Sequence, residues 1–519
     1  MTTSKKEISV IIPTYNRCES VCRTVEALKE QTYSPGITEV IIVADGCTDN
    51  TVDIMSKYRT AFTLKIVEQA NQGLAAARNK GATEAEGTLL VFLDDDVVPT
   101  PNLLEAHFKA HQKNNVDLVI GYYPPVLTNY SDYFEMGVWA AWENIFYPLR
   151  FPGHRFNYND VSFGNSSIRS EFFKQTGGFN PEFRTYGRED WEYGIRLIKA
   201  EARFLFTSQA VAIHYPTVEP LRSLGHKRYE GKADIRLGRS YPELKRILPV
   251  SNLTKTGFFD SVIFSIAQKF PSTVDIFTSV MMRVLKILEL LKLRLQWRIL
   301  WEYLSDLWYC RGVLEEFGSK EGLMKYLEES LPLSDIEENI IEIDLSKGIK
   351  EAENQIDAQK SSGVNIKFSR HLVGFIPPKP GAEKLRGKHL RNILVNNLAI
   401  SYLEALAIEG VINRAMNSMN IPYPDNFDVE AWIDELRGQK FWMDLNWGYA
   451  NIWKWLSNKS KAFWRRNAKI KEKDMKKNWA EDRLFYFERL SSKYDFEIRE
   501  NEKTISELAS NISTLRKVS

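Results

Sequence analysis

The stretch that decides the fold reads LLVFLDDD and covers residues 89–96. Five apolar residues in a row predict a strand that is buried on both faces, as in a parallel sheet. Asp94, Asp95 and Asp96 follow it directly, and three adjacent carboxylates repel one another unless a cation is close. Mg²⁺ and Mn²⁺ prefer such oxygen ligands, and a substrate diphosphate often completes their shell. A solvated acidic turn is the plainer alternative.

Outward from this stretch, the first 250 residues alternate strand-like and helix-like patterns, which predicts a mainly parallel α/β sheet. The predicted strands are 8–13, 39–44, 64–68 and 89–93, and the predicted helices between them are 19–32, 51–58 and 73–85. Polar clusters at 15–17, 45–49 and 94–96 each follow a strand. Because ligands bind beyond the carboxyl ends of parallel strands, we expect these clusters on one rim of the sheet.

Composition narrows the class of protein. The chain has 519 residues, of which 44% are hydrophobic and 26% charged, which excludes collagen-like, mucin-like and wholly disordered classes. A net charge of +2 does not indicate nucleic acid as a partner. The four cysteines are too few and too scattered for a disulfide framework or a zinc site, and no apolar run reaches the ~18 residues of a spanning helix. We therefore expect a cytoplasmic protein, peripheral at most on the inner face of the cell membrane.

The patterns predict four regions along the chain. They are an α/β catalytic domain (1–250), a helical extension (251–335), a small strand–helix–strand unit (336–380) and a helical carboxyl-terminal domain (381–519). The last boundary is placed at the rigid, proline-rich segment PPKPG, residues 377–381. Appended helices of this kind suit oligomerisation or acceptor capture.

Two basic stretches of the carboxyl half combine cations with aromatic residues. Residues 280–304 include Trp297 and Trp301 and suit an interfacial helix on anionic lipid. A helix packed against the catalytic domain fits the same pattern equally well. Residues 453–479 suit lipid head groups, an anionic polysaccharide or nucleic acid, although a solvated helix is the simplest interpretation.

The polar clusters belong to a longer ordered series of motifs. In chain order these are ISVIIPTYNR (8–17), VADGCTD (43–49), NQGLAAARN (71–79), LDDD (93–96), GNSSIR (164–169), GGFNP (177–181), GREDWE (187–192) and AIHYP (212–216). Over residues 7–250 the series resembles family 2 glycosyltransferases, which have the Rossmann-like GT-A fold of nucleotide-diphospho-sugar transferases. One motif would be weak evidence, but a full ordered series is specific. Ala44 departs from the pattern, because the family usually has a first Asp there.

The resemblance implies a nucleotide-sugar site, with a UDP-sugar as the favoured donor. The matching positions are Pro13, Tyr15, Arg17, Asp45, Arg78, Asp94 and Asp95. Asp45 would accept a hydrogen bond from the uracil ring, and Tyr15 would pack against the base. Asp45 is equally a cap for helix 51–58, a role that Asp49 also fits. Arg78 would bind the diphosphate or Asp94, or lie on a solvated helix face.

The resemblance also implies a Mn²⁺ or Mg²⁺ cofactor. Asp94 and Asp96 match the family's Asp-x-Asp motif, with Asp96 expected to touch the metal and Asp94 to lie nearer the ribose or the metal's waters. His214 resembles a late histidine that reaches the metal in some members, but a lone His after a strand is as often structural. His107 and His111, on a predicted surface helix, show no ligand constellation.

Catalysis is expected at the Glu-Asp motif. Asp190 would be the general base, and Glu189 would flank it, hydrogen-bond the acceptor or raise the pKa of the base. Acids at a helix N-terminus are also favoured by ~0.3–1 kcal/mol without any catalytic role. The predicted acceptor-binding residues are Trp191, Asn165 and Gly178, and core packing explains Trp191 equally well.

The function implied is a metal-dependent, inverting transfer of a sugar to a glycan or lipid-linked acceptor, as in cell-surface polysaccharide synthesis. Arg188 before Glu189 also occurs in retaining relatives, so a retaining enzyme is one alternative. A catalytically inactive scaffold that binds glycans or membranes is another. A nucleotidyltransferase would need a Gly-rich phosphate loop after the first strand, where this chain has PTYNR.

Overall fold

The computed structural model describes residues 6–129, 132–183, 187–216, 219–254, 271–317, 320–329 and 339–409. The basic stretch 453–479 lies outside the described residues, as does most of the predicted carboxyl-terminal domain. The chain divides into two compact units. The first holds the described residues through Ile341 with Ala352–Val364 and Ile376–Asn392, and the second holds Glu342–Glu351, Asn365–Phe375 and the described residues from Ile393. The four predicted domain ranges stay a prediction.

An eight-stranded sheet forms the centre of the first unit. Its strands are β1 Ile8–Thr14, β2 Thr38–Asp45, β3 Thr63–Gln69, β4 Leu89–Leu93, β5 Val97–Pro99, β6 Leu118–Tyr122, β7 Asn165–Arg169 and β8 Phe204–His214. Their order is β3-β2-β1-β4-β7-β6-β8-β5. The four strands at the β3 side are mutually parallel, and β7 runs antiparallel between β4 and β6. The predicted mainly parallel α/β sheet is confirmed, and the four predicted strands are correct to within one residue at each end.

Helices alternate with the strands of this sheet along the chain, and the amphipathic ones bury an apolar stripe against the core. They are α1 Cys18–Lys29, α2 Thr51–Met55, α3 Leu74–Glu84, α4 Leu103–Asn114, α5 Tyr133–Leu149, α6 Ser170–Gln175 and α7 Glu189–Lys199. In α1, for example, Val21, Val25 and Leu28 are buried at helical spacing, as the sequence predicts. One core cluster combines aliphatic residues from the strands with Phe92, Phe163 and Phe179, whose rings are in contact. Ile41 and Val43 of β2 belong to a smaller cluster with Ala77 of α3.

Strand register brings the polar clusters to one rim. Thr14 of β1 lies opposite Ala44 of β2, and Asp45 lies opposite Gln69 of β3. At β4, Leu93 lies opposite Asn165, so antiparallel β7 begins where β4 ends. The segments after β1, β2 and β4 therefore leave the sheet at the same edge, as expected.

A helical extension follows the sheet. Its helices are α8 Pro220–Ser240, α9 Pro271–Leu290, α10 Arg294–Phe317 and α11 Lys320–Glu328. The prediction of a single amphipathic helix over 280–304 is wrong, because α9 ends at Leu290 and α10 begins at Arg294. Lys292 has φ +56°, a left-handed conformation that ends α9 and reverses the chain. Within the described residues, no helix is long and apolar enough to cross a bilayer.

A separate three-stranded sheet occurs near residue 360. It comprises β9 Ile340–Asp344, β10 Gly363–Phe368 and β11 His371–Ile376 in the order β11-β10-β9. The accompanying helices are α12 Ile349–Gln359, α13 Gly387–Asn397 and α14 Ala399–Ile408. The expected strand–helix–strand pattern is present, and β11 is a strand that the sequence did not predict.

Candidate active site

Arg78 gathers three carboxylates at the rim of the large sheet. Its guanidinium lies 2.9 Å from Asp94, 2.7 Å from Asp190 and 3.3 Å from Glu189. Asp94 follows β4, Arg78 lies on α3, and both acids begin α7, so residues distant in sequence meet at one cation. Arg78 is only 1% exposed, which corrects the alternative of a solvated helix face. A buried guanidinium of this kind is held by the acids around it.

The two acids of α7 have unusual proton affinities. Burial, with the neighbouring charge of Asp190, raises the pKa of Glu189 to about 7 in spite of Arg78. Burial also raises the pKa of Asp190; the charge of Arg78 opposes that rise and that of Asp94 adds to it. The Oδ1 of Asp190 accepts from Arg78 and its Oδ2 accepts the backbone N–H of Phe163 at 3.0 Å. Asp190 is thus fixed in orientation with a pKa moved toward neutrality, as a general base requires.

A second charge cluster stands beside the first. Arg17, just after β1, donates to Asp95 Oδ1 at 2.7 Å and to Asp96 Oδ2 at 2.9 Å. Thr14 Oγ1 donates to Asp95 Oδ2, and Thr24 Oγ1 donates to the Asp95 carbonyl. Burial raises the pKa of Asp95 to about 6, although Arg17 opposes that rise. Asp95 therefore joins β1, α1 and the end of β4 rather than pointing into open solvent.

Asp96 and His214 form the pair that best fits a divalent cation. His214 Nε2 lies 3.4 Å from Asp96 Oδ1 at the end of β8. Burial would raise the pKa of Asp96, but the hydrogen bond and charge of His214, with the charge of Arg17, lower it. His214 Nδ1 is buried without a hydrogen-bond partner among the described residues. One imidazole and one carboxylate suit Mn²⁺, yet the described residues hold no group of three His, Cys, Asp or Glu side chains that could bind a metal.

Asp45 is held by the segment that precedes α3. Its Oδ1 accepts from Gln69 Nε2 at 2.7 Å and from the N–H of Gln72 at 2.8 Å, and its Oδ2 accepts the N–H of Gly73 at 2.8 Å. Gly73 has φ +90°, which only glycine adopts without strain. Both oxygens of Asp45 are thereby aligned at the rim, at the carboxyl end of β2.

The capping role considered for Asp45 belongs to Asp49. Asp49 Oδ1 accepts the N–H and the hydroxyl of Thr51 at the start of α2. Tyr15 is 51% exposed at the end of β1, so an aromatic face is available beside Asp45's loop. Pro13 is a buried part of β1 and offers only backbone to a ligand.

The three predicted acceptor-binding residues differ in burial and in their contacts. Trp191 is half-buried, with the Arg188 guanidinium 3.5 Å from its ring centre and Tyr158 at 5.3 Å. Gly178 has φ +63°, and its carbonyl accepts a hydrogen bond from Arg196. Asn165 is fully buried, with its amide oxygen bonded to His107 and its amide nitrogen to the Ala210 carbonyl. The Asn165 side chain therefore joins β7 to α4 and β8.

His107 and His111 correct a second expectation. The helix that carries them, α4, was predicted to lie at the surface, but both rings are buried against β7. His107 contacts Asn165 and Ser167, and His111 also contacts Ser167. Burial lowers the pKa of each to about 4, so both are neutral at physiological pH. The helical pattern of the sequence places these two polar residues on the exposed face of the helix. They are buried instead because hydrogen bonds satisfy their ring nitrogens in the protein interior.

The sequence did not predict a buried charge network behind α7. Arg188, at φ +74°, immediately precedes the two acids and donates to Asp234 of α8 at 2.6 Å. Glu230 lies 3.3 Å from the same guanidinium, and Tyr309 of α10 donates to Asp234 at 2.6 Å. Asp234 is fully buried. A lone Asp in a basic helix gives no sequence signal, because its partners come from two distant segments.

A cavity of about 560 Å³ adjoins the metal-candidate pair. One wall includes Tyr215, which follows His214 and donates its N–H to the Asp96 carbonyl. The opposite wall comes from α5, α9 and α10, and it combines apolar residues such as Phe134, Leu285 and Trp301 with the charged residues Glu135, Lys286 and Glu289. Its volume is in the usual range for small-molecule sites.

Comparison with known proteins relates this site to an enzyme family. Residues 9–177 match glycosyl transferase family 2, and residues 146–219 match the N-terminal domain of galactosyltransferase. Validoxylamine A glucosyltransferase of Streptomyces hygroscopicus is 33% identical over 37% of this chain and 47% of its own length. Glycosyltransferase AglE of Haloferax volcanii is 38% identical over 23% of this chain and 40% of its own length.

A solved mannosyltransferase from Pyrobaculum calidifontis, in complex with GDP-Man and Mn²⁺, is 18% identical with a TM-score of 0.41, covering 59% of this chain and 86% of that one. The chain thus spans about half or less of the length of the two curated relatives that it matches. The motifs through GNSSIR lie within the family 2 match or at its edge, whereas GREDWE and AIHYP lie only within the second match, residues 146–219. The similarity to glycosyl transferase family 2 therefore extends over residues 9–177 of this chain.

Proposed function

We propose that this protein is a metal-dependent, inverting glycosyltransferase. It would move a sugar from a nucleoside diphosphate donor, with UDP favoured, to a glycan or lipid-linked acceptor. One observation carries the proposal: Arg78 joins Asp94, at the end of β4, to Glu189 and Asp190, at the start of α7. A donor-side acid and a candidate base are thereby fixed within reach of one guanidinium.

Asp190 is the proposed general base. The acceptor hydroxyl would lose its proton to Asp190 while its oxygen bonds to the anomeric carbon and the bond to the diphosphate breaks. The raised pKa of Asp190 supports this role, and a positioned base contributes ~10²–10⁴-fold in rate. Glu189, with a pKa of about 7, exists partly as the neutral acid near neutral pH and would hydrogen-bond the acceptor.

The donor would lie along the rim between β2 and β4. Asp45 and Tyr15 would hold the base, Pro13 would contribute backbone, and Arg17, Arg78 and Asp94 would surround the ribose and diphosphate. Asp95, predicted among the donor-binding residues, would act by holding Arg17 in place. Mn²⁺ or Mg²⁺, held by Asp96 and His214 with Asp94 nearby, would neutralise charge on the leaving diphosphate. The 3.4 Å separation of Asp96 and His214 supports this pairing.

Fewer observations support the proposed acceptor-binding residues than the proposed donor-binding residues. The cavity beside Tyr215 has room for it, and the roles of Trp191, Asn165 and Gly178 stay predictions. Contact of 280–304 with a membrane, the cytoplasmic location and oligomerisation through carboxyl-terminal helices also stay predictions. A retaining enzyme and an inactive scaffold are the alternatives, and the oriented Asp190 favours a working base over the scaffold.

The test separates donor binding from transfer. Thermal stabilisation by UDP, GDP, dTDP and CDP, each with and without Mn²⁺, identifies the donor's base, because a ligand that binds the folded state raises its melting temperature. Asp190→Asn should keep that stabilisation but lose transfer. Asp53→Asn, at an exposed aspartate of α2, is the matched control and should keep both. Stabilisation by none of the nucleotides would favour the scaffold instead.

A further inference from the structure

The turn between α9 and α10 exposes an unusual set of large apolar side chains. We call residues 287–295 the leucine turn. Leu290 is 81% exposed and Leu291 is 60% exposed, and Ile287, Leu293 and Leu295 are exposed as well. Contiguous exposed leucines are rare on soluble surfaces unless they bind something.

The exposure does not come from a frayed helix end. The N–H groups of Leu291 and Leu293 donate to the carbonyls of Ile287 and Leu288, which closes α9, and Lys292 reverses the chain. Both helices are anchored just behind the turn. Leu285 of α9 and Trp297 of α10 are buried in one cluster with Tyr133 of α5. The leucine turn is therefore a formed projection on a packed base.

Charge around the leucine turn identifies the kind of partner. Residues 283–294 contain four cations (Arg283, Lys286, Lys292 and Arg294) and one acid, Glu289, which gives a net charge of +3. Glu289 accepts the N–H of Tyr133, so it points back to the packed base. All four cations are exposed, so this surface carries positive charge beside the leucines. Two copies meeting turn to turn would bring like charges together, which disfavours a second copy of this chain as the occupant.

We propose that the leucine turn docks this protein on an anionic lipid bilayer. The leucines enter the boundary between head groups and acyl chains, and the exposed cations Arg283, Lys286 and Lys292 lie near anionic head groups. Arg294, also exposed, lies over the Tyr133 ring at 5.4 Å. This inference does not depend on transferase activity. If the proposed function holds as well, docking would bring the cavity lined by α9 and α10 close to the bilayer, which favours a lipid-linked acceptor over a free glycan.

Cosedimentation of the full chain with vesicles tests the proposal. Vesicles of phosphatidylcholine mixed with phosphatidylglycerol should bind the protein, and added salt or pure phosphatidylcholine should weaken binding. The double variant Leu290→Gln/Leu291→Gln should lower the partition coefficient by about tenfold or more, since two apolar side chains leave the interface. Both residues are exposed, so the variant should keep the wild-type melting temperature and any stabilisation by nucleotide.

Leu372→Gln is the matched control, because Leu372 is 74% exposed in another part of the chain, and it should bind vesicles like the wild type. Wild-type protein that ignores anionic vesicles would overturn the proposal, as would a double variant that binds as well as the wild type. Self-association that the double variant abolishes, without vesicle binding, would assign the surface to a second copy. If nucleotides do not raise the melting temperature of the wild type, that result would count against the proposed function and not against docking.

Discussion

Replacing Arg78 with methionine should destabilise the protein strongly, and the effect should depend on pH. Arg78→Met removes the cation that lies 2.7–3.3 Å from Asp94, Glu189 and Asp190, while keeping an apolar side chain of similar length. Removing one partner of a buried ion pair costs about 3–5 kcal/mol in the free energy of unfolding. At ~2–4 °C per kcal/mol for a domain of this size, the melting temperature should fall by roughly 6–20 °C.

The sign of the pH dependence follows from the carboxylates. Arg78 lowers the pKa of Glu189 and Asp190 against burial, so its removal raises both further above their unfolded values. A group with a raised pKa in the folded state stabilises fully below its unfolded pKa and loses that contribution as pH rises. The deficit of Arg78→Met should therefore be largest at about pH 8 and shrink toward about pH 3, below the unfolded pKa values of about 3.9 for Asp and about 4.3 for Glu, where the acids are protonated in both states.

Thermal and urea unfolding across this pH range provide the measurement. Arg239→Met is the control, because Arg239 is about half-exposed and contacts Glu316 at 3.2 Å near the surface. Its cost should stay within about 1 kcal/mol at every pH. Equal deficits for the two variants, or a deficit of Arg78→Met that does not change with pH, would refute the reasoning.

Three further outcomes are expected. Glu189→Gln should gain stability relative to the wild type as pH rises from about 4.5 to about 7, by up to about 3 kcal/mol, because over that range the wild-type acid releases its proton in the unfolded state and largely keeps it in the folded state. Urea unfolding at several pH values checks this prediction, and parallel curves would contradict it. Asp96→Asn should abolish Mn²⁺-stimulated nucleotide stabilisation, so undiminished stimulation would remove Asp96 from the metal site. Arg188→Ala leaves Asp234 buried without its cation. It should lower the kcat of any transfer and shift its pH profile, with little change in the KM for donor, and Arg188→Lys should restore part of the kcat. An unshifted pH profile would leave Arg188 with a purely structural role.

Much of the first unit follows from local sequence pattern. The β-branched runs at β1 and β2 and the apolar run at β4 predict buried strands almost to the residue, because period and composition depend on near neighbours alone. The polar clusters after these strands reach one rim because parallel strands end at a common edge. The order of the motifs along the chain is enough to indicate the family.

Residues that act through distant partners are harder to predict. The sequence places Arg78 against the diphosphate, against Asp94 or in solvent, and the fold adds Glu189 and Asp190, more than a hundred positions along the chain. Helical periodicity places His107 at the surface, although contacts with Asn165 and Ser167 allow it to be buried. Both cases depend on long-range packing, which a local pattern does not contain.

The amino-acid sequence by itself determined the alternation of strands and helices, the rim and the identity of its acids, since each depends on neighbours in the chain. Only the tertiary structure decided which cation holds which acid, how Arg188 ties α7 to Asp234 and Tyr309, and where α9 turns back at Lys292. These features depend on contacts between segments separated by tens to hundreds of residues. The ion pairs and the burial of these charged groups form only when distant segments of the chain pack together.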